Sequence, residues 1–423
     1  MPEAILLVFF SLVISNCNKG QVNHNWTQFR GNNLSGISGS SKVPVGWNDS
    51  TNVAWRTAIH GVGWSSPVVM NNLVWITTAN EDGKALFAIC IDFSSGKILY
   101  DIKLREPDSV YSKHAINSYA TPTPCIEEGF VYLHFGVYGT FCADTKTGEI
   151  VWQTTDYKCD HVQGPASSPI IYKNLLILHF EGVDVQYLVA LDKKTGKLVW
   201  RADRPGEPYE QLAPIGRKAY ITPIIIQVDG KDVLISNGSA VCCAYDPATG
   251  KEIWRIVEGE DSTVSSPFTE NGIVYFYTSF VTASDGEKYI ELFSVNPKGK
   301  GDIGKTNIIW KLKSPPFQLL TPVIKDGLIY TVDTKNQLIC IDAKDGSILW
   351  SEKLKGSFNS SPVIAGGKVY FSSTRGNIFV IKEGKKFDLV AENKLSGQIW
   401  ATPAIVENSI LIRTSKFLYK IAE

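Results

Sequence analysis

Short apolar runs alternate with polar turns along nearly the whole chain, and the turns themselves recur. Eight Ser/Thr-Pro pairs each precede an apolar run: Ser66-Pro67, Thr121-Pro122, Ser168-Pro169, Thr222-Pro223, Ser266-Pro267, Thr321-Pro322, Ser361-Pro362 and Thr402-Pro403. A tight-turn signal follows, such as Asn71-Asn72, Lys173-Asn174, Asn271-Gly272, Asp326-Gly327 or Gly366-Gly367, and then a second apolar or aromatic run. That order predicts a hairpin. A third run ends near an Asp, a Gly turns the chain, and a fourth run carries a large aromatic: Asp92-Gly96-Tyr100, Asp144-Gly148-Trp152, Asp192-Gly196-Trp200, Asp246-Gly250-Trp254 and Asp342-Gly346-Trp350, with a stretched copy from Asn296 to Trp310. Each unit therefore reads as a four-stranded antiparallel meander, and a unit repeated at roughly fifty-residue spacing makes an array.

The residue types suit these places. Proline lacks the N–H that a ladder needs and is tolerated at a strand's first residue. The Asp side chain caps its turn and the Gly adopts positive φ. A Trp on the outermost strand can cover the joint with the next unit while its indole N–H finds a partner. A linear solenoid would need polar caps at its ends, whereas here the last unit, Ala401 to Ile421, supplies three apolar segments and Asn52 to Ile59 offers the missing fourth. The expected fold class is all-β: an eight-bladed β-propeller of four-stranded antiparallel blades, closed by an N-terminal strand in the last blade. Residues 52–423 form this single propeller, 17–51 a tether and N-terminal extension, and 1–16 a signal peptide.

Composition narrows the picture further. Lys plus Arg and Asp plus Glu number 42 each, so no net basic charge argues for a nucleic-acid groove. The apolar run from Ala4 to Ile14 is too short to span a bilayer as a helix and reads as a signal-peptide core. It ends at Ile14-Ser15-Asn16-Cys17, which resembles a lipobox with Cys17 as the lipidation site. Asn16 in place of a smaller residue, and Glu3 with no Lys or Arg before the run, depart from that pattern.

Of the eight cysteines, Cys90, Cys142 and Cys340 each stand two residues before a repeat Asp, where Ala190 and Ala244 stand in other units, so they read as small core residues. The neighbouring Cys242 and Cys243 point to opposite faces of a strand, the alternative being a strained vicinal disulfide. Cys125 and Cys159 carry no assignment.

In a meander blade the start of the first strand and the end of the second share one face of the ring, opposite the Asp-Gly turns. Residues expected there as a polar, aromatic-rimmed funnel for a ligand or partner are Trp64, Tyr119, His134, His161, Gln163, His179, Glu181, Arg217, Thr263, Gln318, Asp333, Asn359, Arg375, Gln398 and Trp400. His134 and His179 hold equivalent repeat positions, and with Glu181 they have the donor types of a metal site; the plainer reading is two histidines hydrogen-bonded at strand ends. No Gly-x-Ser-x-Gly, His-Glu-x-x-His or phosphate loop is present, and no catalytic residue is assigned.

The phrase Ala/Cys-x-Asp-x-x-x-Gly-Lys-x-x-Trp, with the Ser/Thr-Pro starts, resembles the tryptophan-docking repeat of the PQQ-like propellers. Trp26-Thr-Gln-Phe-Arg30-Gly31, Trp47, Asn52-Val-Ala-Trp55 and Gly63-Trp64-Ser-Ser-Pro67 are similar to exported bacterial PQQ-like repeat proteins. Two branches of that superfamily bear on function: quinoprotein alcohol dehydrogenases, and non-catalytic propellers such as the outer-membrane assembly-factor lipoproteins of the BamB type. The dehydrogenases hold Ca²⁺ beside a catalytic Asp, and no residue here matches those ligands; PQQ therefore enters only as an alternative, and no cofactor or metal is assigned. The resemblance implies a non-catalytic envelope scaffold, exported and lipid-anchored on the periplasmic side of the outer membrane or at the cell surface, acting as a monomer or in a complex. Its partner would be an envelope protein or a glycan. The alternatives are a PQQ- or metal-dependent oxidoreductase and a glycan- or small-ligand-binding propeller. One fold hosts many functions, so the site must decide.

Overall fold

A computed structural model describes residues 24–315 and 319–423. The expected signal peptide, Cys17 and Gln318 lie outside the described residues. Eight sheets of antiparallel meanders form a propeller ring, and in most of them the strands lie in simple sequence order. Blade 1 is Val68–Met70, Leu73–Ala79, Leu86–Asp92 and Ile98–Arg105; blades 2 to 7 repeat it. Blade 8 takes Ala404–Val406, Ser409–Arg413 and Phe417–Ile421 from the C-terminal part and Val53–Ala58 as its outermost strand, with Val53 opposite Ile421 and Ala58 opposite Phe417. The ring thus closes as expected, by a strand from the other end of the chain. Blade 4 gains a short fifth strand, Gly301–Asp302, parallel to Glu252–Val257 and supplied by the insert in the stretched repeat.

The Asp-Gly-aromatic phrase works across blades. Each outer aromatic faces a small residue in its own sheet: Trp152 opposite Cys142, Trp200 opposite Ala190, Trp254 opposite Ala244, Trp350 opposite Cys340. Its indole N–H then donates to a turn carbonyl of the following blade, Trp152 to Lys193, Trp200 to Pro247 and Trp310 to Ala343, at 2.9 to 3.1 Å. Trp55 does the same to Phe93, across the closing seam. All seven described cysteines are free and buried, Cys242 and Cys243 among them; the strained vicinal disulfide is absent.

The Ser/Thr of each opening pair has a second duty. Its backbone N–H donates to the hydroxyl of its counterpart one blade on, from Ser66 round to Thr402, in seven bonds of 2.8 to 3.0 Å. In blade 2 that counterpart is Thr123, ahead of Pro124 and the strand Cys125–Glu127. The pair Thr121-Pro122 expected there is two residues early: the Thr121 hydroxyl bonds Asn117 and Ser118 in the preceding loop instead.

Residues 24–51 pack against the ring. Trp26 pairs with Val69 of blade 1, the Thr27 carbonyl accepts from Ile126 of blade 2, Arg30 reaches the carbonyls of Thr321 and Pro322 in blade 6, and Ile364 of blade 7 pairs with Gly36 and Ser38. The segment therefore crosses the ring axis on the Asp-Gly-turn side. It continues to Trp47, which stacks on Tyr370 with 6.3 Å between ring centroids.

Candidate functional site

On the opposite face the axis opens into a well of 280 Å³. Every blade contributes to its wall the Ser or Thr hydroxyl of its opening pair, and Phe29 of the crossing segment forms part of the lining. The pre-proline position explains this convergence: each of these residues is the last before an innermost strand, so eight of them must circle the axis. The hydroxyl-bearing residues are 2–4% exposed. Each of the seven from Thr123 to Thr402 accepts a neighbour's N–H, and among the described residues none donates its own hydrogen to a protein group. Accepting a hydrogen bond makes a hydroxyl a better donor. No Asp, Glu, Lys or Arg side chain is among the described residues that line the well.

Of the candidates read from sequence, Trp64, Gln163, Asn359 and Trp400 line this well. Trp64 and Trp400 stack on each other, centroids 5.3 Å apart and planes within 20°, at the seam between blades 1 and 8. The other described candidates do not line it. Tyr119 is buried, its hydroxyl on the Tyr111 carbonyl. Asp333 caps its own turn through the N–H groups of Lys335 and Gln337; Arg217 binds the Leu212 carbonyl, and Arg375 is exposed. Asn117, His114 and Tyr220, from the linkers leading into blades 2 to 4 and not among the candidates, complete much of the wall. Irregular linkers carry no periodic signal, so only their position before a Ser/Thr-Pro pair could have marked them.

The histidines turn into the body of the blades. His134 bonds Thr140 at 2.8 Å, and its ring sits edge-on to Phe180. His161 stacks beside Phe180, close to the Cys159 sulfur. Burial drives the pKa of His134 down to about 3 and that of His161 down to about 4, so both are neutral at physiological pH. His179 and Glu181 do meet, at 3.0 Å, but within an ion-paired cluster: Arg204 Nε lies 2.7 Å from Glu181, the Tyr209 hydroxyl donates to it at 2.7 Å, and so does the Ser239 N–H. Burial would raise the Glu181 carboxyl, but Arg204 and His179 outweigh it and hold the carboxylate ionised. Among the described residues no group of three or more His, Cys, Asp or Glu is arranged to hold a metal. The cluster fastens the linker after blade 3 to blade 4, a structural task.

A family model described as outer membrane protein assembly factor BamB matches residues 41–211, 186–298 and 302–397. The chain belongs to that family. Among curated relatives, the outer membrane protein assembly factor BamB of Moranella endobia is 23% identical over 82% of this chain and 82% of its own. The tetrathionate hydrolase of Acidithiobacillus ferrooxidans is 22% identical over 60% of this chain, and the match spans 51% of that protein. Among solved structures, the quinohemoprotein alcohol dehydrogenase of Comamonas testosteroni superposes with a TM-score of 0.67 at 13% identity, covering 95% of this chain and 81% of that one. That likeness is one of fold.

Proposed function

We propose that this BamB-type propeller is a non-catalytic scaffold of the cell envelope, exported and tethered through Cys17 at the outer membrane, that presents its well-bearing face to a protein partner. The observation that carries this reading is the division of the ring into two faces. The Asp-Gly-turn side is regular, is crossed by residues 24–51 and exposes repeated apolar pairs such as Ile98-Leu99 and Leu198-Val199 where its outer strands start, whereas the opposite side gathers the long irregular linkers and exposes Tyr111, Ile116 and Ile215 on them. Apolar side chains exposed on loops held by a rigid ring suit recognition of another protein. The oxidoreductase reading has less support. Quinoprotein Ca²⁺ chemistry needs carboxylate ligands, and none of the described residues lining the well is acidic; Cys242 and Cys243 sit in the strand Val241–Tyr245 of blade 4, away from the axis. A glycan partner rests on the aromatic pair Trp64 and Trp400 alone.

The test is capture of envelope proteins from detergent-solubilised membranes with the purified chain, identified by mass spectrometry, beside a variant carrying Tyr111→Asp and Ile215→Asp. Retention of a specific outer-membrane protein by the parent and its loss in the variant is the expected result. Equal capture by both, or alcohol-dependent dye reduction after incubation with PQQ and Ca²⁺, would overturn the proposal.

A further inference from the structure

Two guanidinium groups flank the well with no carboxylate beside them. Arg30, next to Phe29 in the crossing segment, is 1% exposed; it donates to the carbonyls of Leu34, Ser35, Thr321 and Pro322. Thr321 itself belongs to the wall. Arg413, 3% exposed, donates to the carbonyls of Ser65 and Thr77 and to the Ser65 hydroxyl, one residue before Ser66 of the wall. Neither forms an ion pair among the described residues. Burial lowers each pKa to about 9, which leaves both groups charged at neutral pH.

Buried charges are ordinarily paired, because carbonyl dipoles replace only part of the lost hydration. Two cations without an ion-pair partner within one protein ring make the axis positive, and a concave cleft with low-dielectric walls concentrates that field. The circle of hydroxyls adds O–H groups without a protein acceptor among the described residues, and the seven from Thr123 to Thr402 are polarised by the N–H each accepts. No acidic side chain is among the described residues that line the well. We infer that the well is an anion site, shaped for a small carboxylate whose oxygens take the hydroxyl donors while an attached apolar or aromatic body rests against Trp64 and Trp400. Such a ligand would sit on the axis whichever protein engages the rim, so the site stands independently of the scaffold reading.

The probe is 4-bromobenzoate, with 4-bromobenzamide as its uncharged counterpart, titrated calorimetrically into the unaltered chain at pH 7 and low salt. The acid should bind saturably and the amide about tenfold or more weakly, a gap of about 1.4 kcal/mol or more. Anomalous scattering from a soaked crystal should place bromine in the well near Trp64 and Trp400. Ser361→Ala should weaken the acid, while Thr222→Ser, which keeps its hydroxyl, should not. Equal binding of acid and amide, no heat from the acid up to about 10 mM, or bromine bound only elsewhere would each defeat the inference. The acid-against-amide comparison needs no variant, so a misfolded substitution cannot obscure it.

Discussion

At Gly250 two constraints meet in one residue. Its φ of +71° lies in the left-handed region, and a Cβ there would stand 2.6 Å from Cε3 of Trp200, which docks from the preceding blade. Trp200 is 8% exposed, and its indole N–H bonds the Pro247 carbonyl of the same turn. Gly250→Ala should cost about 1–3 kcal/mol from backbone strain and the clash, and Trp200→Ala about 3–5 kcal/mol from the cavity. The pair should couple: with the ring removed, the added methyl has room, so Gly250→Ala in the Trp200→Ala background should cost less than it does alone. Denaturant melts of the four chains measure this, and strict additivity would mean that the ring and the glycine are not in contact. Glu258 poses the opposite case. Its carboxyl is buried, and no side chain accepts or donates to either oxygen among the described residues. Burial raises its pKa well above the usual 4.5. The folded chain then holds a proton that the unfolded chain gives up above pH 4.5, so stability present below that value is lost as pH rises. Glu258→Gln removes this slope. Relative to the parent, the variant should gain stability between pH 5 and 8, by at most about 1.4 kcal/mol per pH unit, whereas a pH-independent offset between the two would show the native carboxyl to be ionised.

Blade 7 is the element in which the repeat fails and another segment replaces it. Its outermost strand, Leu389–Lys394, places Ala391 opposite Val380, where other blades carry the docking aromatic. Trp47 fills the joint: its ring is buried in the core shared by blades 7, 8 and 1, its backbone N–H donates to the Asn393 side chain at 2.7 Å, and Asn393 in turn donates to the Val45 carbonyl. Trp47→Ala should therefore cost about 3–5 kcal/mol, like a docking tryptophan within a blade. A thermal melt matching the parent would place Trp47 outside the joint. Deleting Asn52–Ile59 should have a larger effect, because it exposes the Phe417–Ile421 edge to other chains; light scattering during refolding should report aggregation of the deletion variant but not of the parent. These elements also show what the sequence discloses. The blades were legible because apolar runs, tight-turn signals and the Asp-Gly-Trp phrase recur in the same order, and the closure was legible because blade 8 lacks a strand. The course of residues 24–51 was not, since a segment that reaches several blades through scattered and unlike contacts has no period of its own. Thr123 was misregistered for a related reason. Two Thr-Pro pairs stand in succession, and only the hydroxyl ring chooses between them. That ring also explains why the position needs Ser or Thr at all, which the missing proline N–H could not.

Across the whole molecule, buried histidines make acid stability uneven. Of six histidines, His134, His161 and His179 are buried, and all three lie in blade 2, in blade 3 or in the linker between them. Burial depresses all three; the value for His134 is about 3 and for His161 about 4, against 6.5 in an ordinary setting. As pH falls below 6.5 the unfolded chain takes up protons that the folded chain refuses, so the stability these groups supply above 6.5 is progressively lost toward their native values. Blades 6 and 7 contain no histidine and do not share that loss. A closed ring transmits strain to every joint, yet local opening follows the weakest unit, and each blade is a small cooperative sheet. Hydrogen–deuterium exchange at pH 7 and pH 5, corrected for intrinsic rates, should therefore show protection falling first in Phe130–His134, Leu175–Glu181 and Gln186–Asp192, while Leu328–Val332 and Lys368–Ser372 keep theirs. Replacing His134 by Gln should narrow the difference between the two pH values in blades 2 and 3. Uniform loss of protection around the ring would mean that the eight blades open as one unit and that no single joint sets the acid limit.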